Sequence, residues 1–449
     1  MHTIIRMVLF GALTLQVTVV AQAQDWPGWR GPLYTGGSNT AVNLPVTFSP
    51  TKNVKWAADL PGPSAATPII FGESVFVSTV DSKNETLVAL CLDRKTGKVK
   101  WQHTVGSGYQ PAGGEGNKVQ LDDRSNYASP SPVTDGKRVM FFFGNGDLAA
   151  FDMSGGKLWK RNIQKEYGDF AFQWTFSSSP QLYNGKLYLQ VLQRNQPVGD
   201  RGKPDAPSFL LALEPGTGKE LWRQVRPSTA IMESREAFST PIPHERADGR
   251  KEIIIAGGDF VTGHDTETGK ELWRWGTWNP DHREASWRLV PSPVVGGGVV
   301  LVCAPKRQPV YAAKPAGTAG TFTASLAWKS VERSAVSSDV PTPLYYKDKF
   351  YVLSDVRKAI SCVEPKTGEV VWTMPVPGRA MCWASPTGGN GKIYLMNLDG
   401  DVFVMEAATG KLLGENQMDT EGANLRSSIA IAHGSLFIRT KDKLYCIGT

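Results

Sequence analysis

Ala212-Leu213-Glu214-Pro215-Gly216-Thr217-Gly218-Lys219-Glu220-Leu221-Trp222 decides the fold, because it recurs. Residues 93–98 carry the same acid–x–x–Thr–Gly–Lys turn ahead of Trp101, and residues 265–270 carry it ahead of Trp273. Residues 364–369 lead to Trp372 with Glu369 in place of the lysine. Residues 406–411 keep the turn but reach Gly414 instead of an aromatic, and residues 152–157 reach Trp159 one residue early. A decayed copy lies between Lys314 and Trp328. The acid and the threonine suit bonds to turn amides, and glycine takes the positive φ that the hairpin needs. The tryptophan then opens an outer strand, where a large ring covers the seam to the next repeat.

A second mark opens each repeat: a small residue before proline, then apolar residues, a turn and an apolar strand. It reads Thr67-Pro68, Ser131-Pro132, Ser179-Pro180, Thr240-Pro241, Ser292-Pro293, Thr342-Pro343 and Ser385-Pro386, with Ser428-Ile429 as an eighth copy lacking proline. Trp56 and Trp101 stand about 45 residues apart, as do Trp328 and Trp372, a spacing that suits four short strands per unit. The expectation is an all-β, eight-bladed β-propeller of four-stranded antiparallel blades spanning 53–449. Its last blade has three strands at the C-terminal end, finishing in Lys443-Leu444-Tyr445-Cys446-Ile447, and takes Asn53-Val54-Lys55-Trp56 as its fourth. Such closure removes open sheet edges.

Residues 1–23 read as a signal peptide: Arg6, an apolar run broken by Gln16, and Ala21-Gln22-Ala23 as a cleavage site. Residues 24–52 read as an N-terminal extension. The protein is expected to be periplasmic or secreted, and not a lipoprotein, since no cysteine lies near residue 23. No other stretch is apolar enough to span a bilayer. The net charge of +7 is scattered without aromatic interleaving, which argues against nucleic acid. The protein is expected to be a monomer. Five cysteines in an exported chain invite disulfides. However, Cys91, Cys362 and Cys446 sit where other repeats hold Ala150 and Ala212, and Cys303 lies on a second strand. All are expected to be small packing residues. Cys382, beside Trp383, is the one whose reactivity is left open.

In an up-and-down blade, links from one blade to the next share a face with the second-to-third-strand turns. The long insertions 106–128, 193–207 and 275–288 fall on that face, while 244–250 lies opposite. The same face gathers Asn126, Tyr127, Trp174, Glu236, Trp287, Arg288, Asp339, Trp383 and Arg426 just before successive inner strands. These are the candidate funnel residues, able either to hold a polar planar or sugar-like ligand or to plug the channel. Glu236 and Asp339 read as an acid–base pair, as Ca2+ ligands, or as ion partners of Arg288 and Arg426. Trp275, Trp278 and Trp287 read as a loop anchor. The histidines lack metal-ligand spacing, and His264 reads as packed on a strand. No nucleophile elbow or phosphate loop is present. No catalytic or metal residue is assigned.

The turn pattern of 212–222 and 362–372 resembles the tryptophan-docking repeat of the pyrroloquinoline-quinone (PQQ)-like propellers over 53–449. Asp25-Trp26-Pro27-Gly28-Trp29-Arg30-Gly31-Pro32 looks like the opening of exported members of that superfamily. The resemblance implies two branches. Quinoprotein dehydrogenases hold PQQ and Ca2+ over the funnel and typically carry a disulfide between adjacent cysteines. The scaffold lipoprotein of the outer-membrane β-barrel assembly machinery binds partners through its loops. This chain has no Cys-Cys pair. The leading expectation is a non-enzymatic binding or scaffold propeller that presents its funnel face to a protein or glycan partner, without a cofactor. The alternatives are a PQQ- and Ca2+-dependent oxidoreductase and a carbohydrate-active or carbohydrate-binding protein.

Overall fold

The computed structural model describes residues 24–110, 125–276, 278–317, 323–420 and 422–449. The signal-peptide reading of 1–23, and the middle of the 106–128 insertion, lie outside the described residues. Eight sheets of four antiparallel strands form a ring, one per repeat, and one of them carries a short fifth strand in parallel. Seven run in chain order from inner to outer strand, as in blade 3: Gln181–Tyr183, Lys186–Val191, Phe209–Leu213, Glu220–Val225. The eighth joins Ala430–Ala432, Ser435–Arg439 and Lys443–Ile447 to Val54–Asp59. Trp56 pairs with Cys446 and Ala57 with Tyr445, so the ring closes as the sequence predicts.

Burial follows strand position. Inner and middle strands are buried on both faces, so they read as continuous apolar runs such as Phe-Leu-Leu-Ala-Leu. Outer strands alternate, as in Glu220–Val225. The cores lie between neighbouring blades: Phe76 and Ala89 of blade 1 pack with Phe141 and Phe151 of blade 2.

The repeated turn is the seam lock. Six outer-strand indoles each cover the glycine of the next blade's turn, with Nε1 donating to a carbonyl there. Trp159 Nε1 reaches the Pro215 carbonyl at 2.9 Å, and a Cβ on Gly218 would lie 2.7 Å from the Trp159 ring. Gly218 has φ +72°, so glycine is required both for the backbone and for the contact. Trp56, Trp101, Trp222, Trp328 and Trp372 repeat the bond to the Arg94, Met153, Thr266, Pro365 and Ala408 carbonyls.

Two seams differ. Trp273, the outer-strand indole of blade 4, donates instead to the buried Glu252 carboxylate at 3.0 Å. Blade 7 has Gly414 where the indole would stand, and the N-terminal connector fills in. Tyr394 donates to the Pro45 carbonyl at 3.0 Å, Asn416 Nδ2 donates to the Val46 carbonyl at 3.0 Å, and the Phe48 amide donates to Asn416 Oδ1 at 2.7 Å.

The small residues that precede the repeat-opening prolines all carry hydroxyls, and those hydroxyls form a second lock, around the channel. The Thr67 amide donates to Ser131 Oγ at 2.9 Å, Ser131 to Ser179 at 3.0 Å, Ser179 to Thr240 at 3.0 Å and Thr240 to Ser292 at 2.8 Å. Ser292 continues to Thr342 at 2.9 Å, Thr342 to Ser385 at 3.0 Å and Ser385 to Ser428 at 3.1 Å. Proline at the next position leaves no competing amide. The chain of bonds stops at the joint between blades 8 and 1, where the Thr67 hydroxyl has no partner among the described residues. There the buried Arg439 bridges to the Ser78 carbonyl at 2.7 Å and the Gly62 carbonyl at 3.0 Å.

Candidate ligand funnel

The inner strands surround an axial channel. The blade-to-blade links deliver one or two residues each to a cavity of about 450 Å3. Its wall is a belt of hydroxyls, Ser131, Ser179, Thr240, Thr342, Ser385 and Ser428, with larger groups above. Trp174, Arg288, Asp339, Trp383 and Arg426, five of the nine sequence-predicted residues, line this cavity together.

Their electrostatics are balanced. Arg288 faces Asp339 through two contacts of 3.4 Å and approaches Glu233 at 3.7 Å. Trp174 Nε1 donates to the same Glu233 at 3.0 Å, which holds that indole upright in the wall. Asp339 also accepts the Lys306 amide at 2.8 Å, and its own amide donates to Asp355 at 3.1 Å. Burial pushes the Asp355 carboxyl up to about 6. The Arg426 guanidinium lies 5.0 Å from the Trp383 ring centroid.

The other four predicted residues serve elsewhere. Asn126 accepts the Ala128 amide at 3.0 Å and donates to the Pro63 carbonyl at 2.9 Å, lining a smaller cavity between blades 8 and 1. Tyr127 packs in the core between blades 1 and 2, and Trp287 against the core of blades 4 and 5. Glu236 is fully buried away from the cavity. It binds Arg194 and accepts the Gln173 amide at 3.0 Å. Burial raises its carboxyl against the pull of Arg194. The pairing of Glu236 with Arg288 or Arg426 is therefore corrected: Arg194, from blade 3's own insertion, takes that place. Glu236 and Asp339 do not share the cavity and are not an acid–base pair there.

Trp275 and Trp278 are buried with ring centroids 6.0 Å apart, a loop anchor as expected. His264 is buried between the Gly269 carbonyl and Thr262, and burial holds it neutral, down to about 4. All five cysteines are free and buried. Burial pushes the Cys382 thiol up to about 12, so it stays protonated at neutral pH.

Sequence reasoning missed three contributors. Asp355 and Glu233 carry no repeat mark. Trp29 lines the cavity from the opposite end, out of the N-terminal extension. That extension enters the channel from the face opposite the insertions. Trp26 exchanges backbone bonds of 2.8 and 2.9 Å with Ile70 of blade 1, and the Pro27 carbonyl accepts the Thr134 amide of blade 2 at 2.9 Å. Residues Gly37–Ser38 pair in parallel with Thr387–Gly389 of blade 7. The channel is thus a cup with an indole at its base. The only signal for it was the Trp-Pro-Gly-Trp-Arg-Gly-Pro segment itself.

An eight-bladed ring with indole-locked seams and a polar-aromatic axial cup defines a PQQ-like β-propeller. The chain belongs to the family described as outer membrane protein assembly factor BamB, whose model matches residues 33–194, 169–321 and 316–447. A polyvinylalcohol dehydrogenase from a Pseudomonas species is 24% identical over 205 residues, 44% of this chain but 28% of that protein's length. BamB from Moraxella catarrhalis superposes with a TM-score of 0.60 at 13% identity, covering 88% of this chain and 98% of that one. A europium-containing methanol dehydrogenase superposes with a TM-score of 0.67 at 12% identity, covering 96% and 99%. At these identities the two structures share the fold alone. No helix among the described residues is long and apolar enough to cross a membrane.

Proposed function

We propose that this is an exported propeller that binds a flat, multiply anionic small molecule in its axial cup, of the pyrroloquinoline quinone class. The observation that carries the reading is the convergence of three indoles, Trp29, Trp174 and Trp383, with the guanidinium groups of Arg288 and Arg426 on one cavity of about 450 Å3. Rings stack on the faces of a planar ligand, Arg426 pairs with one of its carboxylates, Arg288 reaches another in exchange for its 3.4 Å contacts with Asp339, and the hydroxyl belt accepts or donates at its edge. The partial match to polyvinylalcohol dehydrogenase and the fold shared with a methanol dehydrogenase support this class. Export is supported by the character of residues 1–23.

The residues present fit the quinone better than they fit calcium. Among the described residues no three His, Cys, Asp or Glu side chains gather as a metal-ligand set, and Asp339 is engaged by Arg288 and the Lys306 amide. When bound, a quinone supplies a two-electron acceptor. The chain's own part is to stack and orient it, to neutralise its carboxylates, and to hold a proton on Asp355 in mildly acidic conditions. Fluorescence titration with PQQ tests the reading. Saturable one-to-one quenching is expected, weakened at least about tenfold by Trp383→Leu or Arg426→Gln. Unsaturable quenching, or wild-type affinity in both variants, would sink it.

A second reading rests on the rim. Ile231, Met232, Val331 and Met381 stand exposed on links of the funnel face, Val331 at 78%. Exposed apolar groups on rigidly held loops suit a protein partner, and the family model is that of an assembly factor. Calorimetric titration against a purified soluble domain of a β-barrel assembly protein checks it. Binding abolished by Met232→Asp with Val331→Asp is the expected result, and no heat from the wild type counts against it.

A further inference from the structure

We infer that the N-terminal arm, residues 24–38, is a working part of the cup: Trp29 is its contact surface, Arg30 positions that indole, and ligand binding and arm docking strengthen one another. The inference rests on the small-molecule reading above and concerns a segment outside the repeats.

The arm is built to dock inside the channel. Asp25 accepts the Gly72 amide of blade 1 at 2.9 Å and meets His433 of blade 8 at 2.6 Å. The arm then turns through Gly31, whose amide donates to the Gly28 carbonyl at 2.9 Å. Gly31 has φ +73°, and a Cβ there would lie 2.7 Å from the Trp26 ring. The turn leaves Trp26 buried at 1% exposure and Trp29 half-buried on the cavity. One indole is therefore spent on docking and the other is presented to the cup.

Arg30 links the two roles. Its guanidinium lies 5.6 Å from the Trp29 ring centroid. It donates to the Pro343 carbonyl of blade 6 at 2.9 Å and to the Pro386 carbonyl of blade 7 at 3.2 Å, beside the hydroxyl belt. Gly36 passes behind it, where a Cβ would lie 2.0 Å from Arg30 Nη2. A buried guanidinium held only by neutral carbonyls is expensive, and its Nε has no partner among the described residues. An anion in the cup above lowers that cost. By linkage, whatever the ligand gains from a docked arm, the arm gains from the ligand.

Hydrogen exchange of the full chain reads docking without any ligand. In Arg30→Met the Trp26 and Ile70 amides are expected to exchange about tenfold faster or more, while the Ile254 amide of blade 4 keeps its wild-type rate. Equal exchange at Trp26 and Ile70 overturns the role of Arg30. Should Arg30→Met fail to fold, Gly31→Ala loosens the same turn from the Trp26 side and is held to the same outcome. With PQQ as probe, the wild type is expected to gain protection at Trp26 and Ile70. Trp29→Ala should lose about tenfold in affinity with little change in melting, and Trp29→Phe should recover most of it. PQQ bound equally by wild type, Trp29→Ala and Arg30→Met overturns the inference. No PQQ binding by the wild type defeats the small-molecule reading instead, while the ligand-free exchange still decides whether Arg30 holds the arm.

Discussion

The seam between blades 2 and 3 and the seam between blades 7 and 8 close the same kind of gap by different means. In the first, Trp159 from one repeat covers Gly218 of the next, with a 2.9 Å bond to the Pro215 carbonyl. In the second there is no indole, and residues 44–48, far away in sequence, bring Leu44 and Phe48 into the core and bond Tyr394 and Asn416. The first lock is local and copied with each repeat. The second depends on a segment that belongs to no repeat. A ring grown by repetition therefore still relies on one non-repeated stretch to complete it, and the same stretch forms the base of the cup.

The largest test removes that stretch. Deleting 24–60 takes away the strand Val54–Asp59, the 44–48 cover and the channel arm together. Lys443–Ile447 becomes an open edge. Cooperative melting is expected to disappear, with aggregation seen by light scattering. A sharp, unshifted transition would show that the repeats close without help.

Next in size is the repeated lock. Trp159→Ala is expected to destabilise by about 3–5 kcal/mol in chemical denaturation, because a buried ring is lost and the Pro215 carbonyl loses its donor. Trp273→Ala is expected to cost a comparable amount by another route: it strips a hydrogen bond from the buried Glu252, which keeps His244 and Arg246 as partners. If Glu252→Gln rescues Trp273→Ala but no partner change rescues Trp159→Ala, the two seams are chemically distinct. Equal behaviour would erase the distinction.

Acid titration compares a wall group with a core group. Asp355 has its folded value raised from 3.8 to about 6, so the folded state holds the proton more tightly. Its contribution to stability is full below about pH 4 and is lost as pH rises through about 6. Asp355→Asn is therefore expected to gain up to about 3 kcal/mol at pH 7 and nothing at pH 4. His264 runs the other way. Its folded value falls from 6.5 to about 4, so stability present above about pH 6.5 is lost as pH falls through about 4. His264→Gln should flatten that loss. Denaturation midpoints between pH 4 and 7 measure both, and parallel curves for wild type and variants would refute the assignments.

Blade number, closure, the indole seams and the buried free cysteines were legible because each is written in a local motif. The candidate site was half legible. Trp174, Arg288, Asp339, Trp383 and Arg426 were found because each sits just before an inner strand, where the fold points residues at the axis. Glu236 holds the same kind of position, yet Arg194, brought by an insertion of its own blade 3, captures it below the surface. No repeat rule foresees that pairing. Trp29 was invisible for the opposite reason: its place depends on docking between the arm and blades 1, 2, 6, 7 and 8, a long-range event with no periodic trace. Asp355 follows a middle strand, at a turn that other repeats fill with unrelated residues.

The smallest effect probes the hydroxyl belt at its one break. Ser131 Oγ accepts the Thr67 amide at 2.9 Å in a buried setting, so Ser131→Ala leaves a buried N–H unmet and should cost about 1–2 kcal/mol. Thr67 is equally buried, but its hydroxyl accepts nothing across the joint to blade 8. Thr67→Val keeps the shape and removes an unpaired polar atom, so it should be neutral or slightly stabilising. The joint is held instead by Arg439 and by Ser427, whose hydroxyl donates to the Ala66 carbonyl at 2.9 Å. Ser427→Ala is thus expected to weaken this joint where Thr67→Val does not. Urea midpoints for the three variants decide the matter. A loss in Thr67→Val equal to that in Ser131→Ala would mean that the belt continues unbroken around the ring, and that blade 8 meets blade 1 like any other pair.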